Sequence, residues 1–275
     1  MMARGTILPG FTLSLGICLA VLALVVLLPL AGVFLHAAGL GWAGFCRVAF
    51  APRALAAYGL SFSGALLAAV INAVAGLVVA WVLVRTTFPG RRLLDALVDL
   101  PFALPTAVAG IALSTLYGPH GLLGAPLLRL GVAVAYTRLG VVAAMTFIGL
   151  PFVVRTVQPV LQDLGTEPEE AAASLGAGRW QVAVRVVLPL ILPALLTGAT
   201  LAFARALGEY GAVIFIAGNV PGVSEIAPLL IATRVEQFDI AGATAIAAVM
   251  LTGAFLLLLA VNMAQLWQRR RREGV

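Results

Sequence analysis

The chain has 275 residues, of which 62% are hydrophobic and 10% charged, with a formal net charge of +6. Soluble domains carry about 45–50% apolar and about 25% charged residues, so the composition excludes an ordinary soluble protein and indicates one that crosses a bilayer several times. All 17 basic residues are arginine, and without lysine there is neither a Gly-Lys-Ser/Thr phosphate loop nor a Schiff-base nucleophile.

Spanning helices of about 20 residues are expected at 11–35, 59–84, 96–117, 139–160, 189–217 and 241–266. The first is longer than the 7–15-residue core of a signal peptide and is expected to remain as an anchor. Cys18 lies within it and Cys46 in the loop that follows; this placement gives neither a disulfide framework nor a metal-ligand spacing. Asn72, inside the second segment, is expected to hydrogen-bond across helices. Asp95 and Asp99 read as capping, solvated carboxylates at the entrance of the third. Pro101 and Pro105 interrupt that segment, and Pro151 and Pro159 the fourth; membrane helices accept proline where neighbours satisfy the freed carbonyls. Trp42, Trp81 and Trp267 stand near segment ends, as an interfacial belt would. His36 and His120 are isolated in loops and read as solvated. No serine–histidine–acid set and no metal cluster is present, so no catalytic, cofactor-binding or metal residue is assigned.

Between the fourth and fifth segments runs a polar stretch, Thr166 to Pro189. Thr166 and Glu169 fit a capping box, acidic residues suit the first turn of a helix, and Ala171 to Ala173 favour helix without adding bulk. Gly176 is placed to end that helix in a left-handed conformation. A second short helix is expected from about Arg179 to Leu188, with Trp180, Val184 and Val187 on one apolar face. In so apolar a chain, a compact acidic helix of this kind reads either as an amphipathic connector lying at the membrane surface or as a dock for something outside the membrane. Further on, Arg205 and Glu209 are four apart inside an apolar segment, so a shared helix face lets them pair. Each charge costs about 2.5–3.5 kcal/mol at the bilayer centre, so such residues face a bundle interior or a water-filled cavity. The pair reads either as structural or as lining a path for an anionic solute.

Arginine sets the orientation. One group of loops holds Arg4, Arg85, Arg91, Arg92, Arg179, Arg185 and Arg269 to Arg272; the other holds Arg47, Arg53, Arg129, Arg138 and Arg234. The excess in the first group puts both termini and the 166–188 loop in the cytoplasm. Cations at segment ends are a topology pattern, and no nucleic-acid partner is expected.

The sequence Glu170-Ala171-Ala172-x₃-Gly176-x₉-Val186-x-Leu188-Pro189 resembles the EAA loop of ABC-importer permeases. Leu8 to Gly16, Asp99 to Ile111 and Gly208 to Asn219 resemble, more narrowly, the T-type sulfate/thiosulfate permeases. The resemblance implies an all-α, polytopic bundle of six transmembrane helices, a single domain over 1–275, with the type I importer fold. It implies that Glu170, Ala171, Ala172, Gly176, Leu188 and Pro189 form a loop that couples to separate ATPase subunits, which hold the ATP and magnesium. It also implies a second, W-type permease subunit beside this chain, an external sulfate-binding protein and a bacterial inner-membrane location. Molybdate or tungstate transport is the alternative within the class. An ion-gradient-driven transporter is the alternative outside it, opposed by the lack of a visible repeat and by a single intramembrane acid, Glu209.

Overall fold

The computed structural model describes residues 11–272. Arg4 and the Leu8-Pro9-Gly10 stretch lie outside the described residues, as do the side chains of Arg269 to Arg272. Among the described residues there is no strand. Five helices are long and apolar enough to cross a membrane: Phe11–Ala38 (α1), Pro52–Arg85 (α3), Arg138–Asp163 (α8), Arg179–Leu207 (α10) and Ile240–Arg272 (α13). Shorter helices lie between them: Gly41–Ala49 (α2), Arg91–Val98 (α4), Leu100–Ala103 (α5), Thr106–Tyr117 (α6), Gly124–Arg129 (α7), Glu167–Ser174 (α9), Gly211–Ala217 (α11) and Ala227–Glu236 (α12).

Proline explains where the helices depart from regularity. The third predicted segment is broken into α4, α5 and α6. Leu104, ahead of Pro105, is extended at φ −81°, ψ 135°, because proline disfavours helical geometry in the residue before it. Pro29 and Pro189 leave their helices unbroken, but each follows a π-wound stretch, Ala23–Leu27 and Val182–Val187 respectively. A proline ring collides with the carbonyl four residues back, and the wider π turn gives it room. The second short helix expected near Arg179–Leu188 is therefore not separate. It forms the first turns of α10, continuous with the span.

α3, α8 and α10 form the core, and small residues set their spacing. A Cβ on Gly76 would meet Val153 Cβ at 2.8 Å, and one on Gly198 would meet Val153 Cα at 2.9 Å. Close backbone approach of this kind is how membrane helices associate, since lipid offers no hydrophobic drive between them. The register fixes direction. Gly64 faces Val141 and Met145 while Gly76 faces Val153, so α3 and α8 run parallel; Gly198 faces Val153 while Gly149 faces Ala202, so α10 runs antiparallel to α8. The C-termini of α3 and α8 and the start of α10 thus share one face, where α9 lies.

On the opposite face, Arg53 Nε and Nη2 donate to both carboxylate oxygens of Glu225 at 2.8 and 2.7 Å. Arg138 donates to the carbonyls of Val223 and Gly222. The backbone N–H of Ala227, at the start of α12, donates to the buried Ser61 hydroxyl on α3. α13 begins with Asp239 as cap, accepting from Gly242 N–H at 2.9 Å. That bond and the Arg234 guanidinium hold the Asp239 carboxyl below its ordinary value.

Candidate coupling loop and membrane ion pair

α9 lies at the surface of the bundle, with none of its residues fully buried. Its C-terminus closes as a Schellman motif: Gly176 N–H donates to Ala173 O at 2.9 Å and Ala177 N–H to Ala172 O at 3.1 Å. This motif needs a left-handed residue, and Gly176 has φ +85°. Ala172 and Ala177, brought together by the motif, pack against the core cluster around Leu83, Val157 and Leu161. Glu170 and Ala171 are exposed, and Ser174 Oγ donates to Glu170 O. Leu175 and Trp180 are 89% and 79% exposed, and Trp180 opens onto a groove it lines with Leu77, Val78 and Trp81 of α3. Leu188 is partly buried against the same core cluster, and Pro189 is at the surface.

The start of α9 differs from the capping box expected there. Thr166 is near-helical, at φ −103°, ψ −9°, and its side chain makes no cap bond. Glu169 instead accepts from Arg85 Nε at 2.8 Å. A guanidinium offers a stronger, charge-assisted bond than a backbone amide. The reciprocal glutamine-type bond forms at the next helix start, where Gly178 N–H donates to Gln181 Oε1.

Arg205 and Glu209 are adjacent, Nη1 to Oε2 at 2.8 Å, but they do not share a helix face. α10 ends at Leu207, Gly208 turns the chain, and Glu209 lies in the break before α11. Its other oxygen accepts Ala212 N–H at 3.0 Å, so the carboxylate serves a helix start as well as the cation. The exposures differ sharply: 1% for the Glu209 side chain and 38% for Arg205. The break also lets α11 lie against α6, where a Cβ on Gly110 would collide with the Ala212 backbone. Since Ala202 packs on Gly149, the pair lies further along α10, away from the α9 face.

The structure corrects the capping role read for Asp95 and Asp99, which stay solvent-exposed at 41% and 49% of their side chains but both bind one cation. Arg155 binds Asp99 through Nε and Nη2 at 2.7 and 2.6 Å, and Asp95 Oδ1 and Gln158 Oε1 through Nη1, both at 2.7 Å. The sequence carried one signal for this cluster, a lone arginine inside an apolar segment. Asn72, expected to bond across helices, is fully buried beside Gly149, and neither its amide nitrogen nor its oxygen has a partner. His36 Nδ1 lies 3.0 Å from Gly32 O, and among the described residues no three metal-ligating side chains cluster.

The family described as the inner membrane component of binding-protein-dependent transport systems matches residues 72–273. The chain is 50% identical over 268 residues to the sulfate transport system permease protein CysT of Escherichia coli (strain K12), covering 98% of this chain and 97% of that protein. It is also 50% identical over 249 residues to the protein of the same name from Synechocystis sp., covering 90% and 87%. Among solved structures, a bacterial alginate ABC transporter in complex with an alginate-bound periplasmic protein aligns with TM-score 0.74 at 16% identity, covering 92% of this chain and 93% of that one. At that identity the likeness is one of fold.

Proposed function

The chain belongs to the binding-protein-dependent transport system inner membrane components, within their sulfate-permease branch, and on that premise we propose that it is the permease subunit of an ATP-driven sulfate importer. It is a multi-pass inner membrane protein and a transport subunit in its own right. In this reading residues 1–275 form one membrane domain. ATP and magnesium are held by separate ATPase subunits, a W-type permease completes the channel, and an external binding protein delivers sulfate or thiosulfate. Both termini and α9 face the cytoplasm, in line with the arginine distribution.

The observation that carries the coupling assignment is the exposed helix of Glu170 and Ala171, closed by a left-handed Gly176 and flanked by exposed Leu175 and Trp180. Exposed apolar side chains next to an acidic helix suit a contact with another subunit. Arg205, which keeps 38% of its side chain exposed while its counter-ion is buried, is the residue we assign to the anion path, with Glu209 orienting it. Uptake of labelled sulfate into vesicles holding the complete transporter tests the reading. Uptake should require ATP inside the lumen that α9 faces, and excess unlabelled sulfate should compete better than molybdate. Uptake driven by an ion gradient without ATP would sink it.

A further inference from the structure

We propose that Arg85 is a positioning residue for coupling, fastening α9 to the membrane helix α3 so that force on α9 enters the bundle. The inference rests on the coupling role assigned above to α9. The chain enters and leaves α9 through two left-handed glycines, Gly165 at φ +62° and Gly176 at φ +85°. A Cβ built on either would meet nothing within 4 Å. Both covalent attachments are therefore turns in open surroundings, and a push on α9 meets only the small apolar contact of Ala172 with the core before it is absorbed by rotation at them. A tie that bypasses the turns prevents this.

Arg85 has the geometry of such a tie. It is the last residue of α3, and its guanidinium grips two points at once: Nε donates to Glu169 Oε1 at 2.8 Å and Nη2 to Gly165 O at 2.6 Å. One bond holds the first turn of α9 and the other holds the glycine turn itself. The rigid planar fork of arginine suits this double hold, whereas an ammonium is a single point. The guanidinium also lies over Trp81, 5.9 Å from the ring centroid, and the Arg85 side chain is only 12% exposed. α3 then carries the load. It has 34 residues, about 51 Å at 1.5 Å per residue, packs along α8 and α10, and at its far end Arg53 grips Glu225.

The test uses the complete transporter in vesicles, measuring sulfate imported and ATP hydrolysed in one preparation. Arg85→Gln and Glu169→Gln should assemble with the ATPase subunits yet lower sulfate imported per ATP by at least about fivefold, the lower range of measured site-to-site coupling. The charge exchange Arg85→Glu with Glu169→Arg should recover part of the ratio, and Arg85→Lys should fall between wild type and Arg85→Gln. If Arg85→Gln fails to assemble, Glu169→Gln decides by the same ratio. A wild-type ratio in Glu169→Gln overturns the proposal. A photo-cross-linker on Leu175→Cys, with Cys18 and Cys46 replaced, separates the two ideas. Capture of an ATPase subunit together with an unchanged ratio removes only the tether; no capture removes the coupling role itself.

Discussion

Two buried polar residues make opposite demands on their surroundings. Glu209 is almost wholly enclosed and satisfied by Arg205 and the Ala212 amide. Glu209→Gln leaves an Arg205 side chain that is already 38% open to solvent, whereas Arg205→Gln removes the counter-ion of a carboxylate only 1% exposed, and an uncompensated buried charge is the costlier loss. If the pair is purely structural, yield of intact complex should therefore fall more in Arg205→Gln than in Glu209→Gln, with part of the loss recovered in the double variant. If Arg205 guides the anion, Arg205→Gln assembles yet shows the slowest uptake of the three; wild-type uptake by that variant would remove the pathway assignment. Asn72 is the contrary case, since both ends of its amide are buried without a partner. An unsatisfied buried group costs about 1–3 kcal/mol, and an apolar replacement of similar shape removes that cost. Asn72→Leu should thus raise the thermal midpoint of the purified complex. A lowered midpoint would mean that the amide has a partner in the assembled transporter.

At the scale of elements, the elbow between α9 and α10 depends on one backbone angle. Nothing crowds Gly176, so a substitution there meets no steric wall and the whole cost is conformational. A left-handed non-glycine residue costs about 1–2 kcal/mol, less for asparagine. Uncoupling should therefore follow the order Leu and Ala, then Asn, while membrane insertion persists because the turn lies outside the spans. ATPase stimulation by substrate-loaded binding protein, measured for Gly176→Ala and Gly176→Asn, checks the order; equal activity in all variants would disconnect the turn from coupling. The same elbow shows how far local sequence reaches. The acidic helix, its glycine stop and its exposed alanines were readable from 166–176. That the next helix runs unbroken into the membrane was not, because the π winding ahead of Pro189 replaces the break that proline ordinarily brings.

For the molecule as a whole, the parallel run of α3 and α8 and the antiparallel run of α10 place Ala177 and Gly222 on opposite faces. In a background without Cys18 and Cys46, Ala177→Cys should react with an impermeant maleimide only from the cytoplasm, and Gly222→Cys only from outside. Reaction of both from one side would overturn the topology. The order of the apolar segments, their helical nature and the arginine bias follow from sequence alone, because hydropathy and chain punctuation are properties of neighbours in the chain. The third of the six expected spans is instead three short helices, and five long ones remain among the described residues. The ion-pair partners do not follow from sequence: Arg85 with Glu169 and Arg53 with Glu225 are separated by 84 and 172 residues, and Arg155 reaches back to two aspartates read from sequence as helix caps. Which charges meet depends on how α3, α8 and α10 are set against one another. That register is fixed by close approach at Gly76, Gly149 and Gly198, where only the absence of a side chain on one helix lets the atoms of the next come near enough to choose a partner.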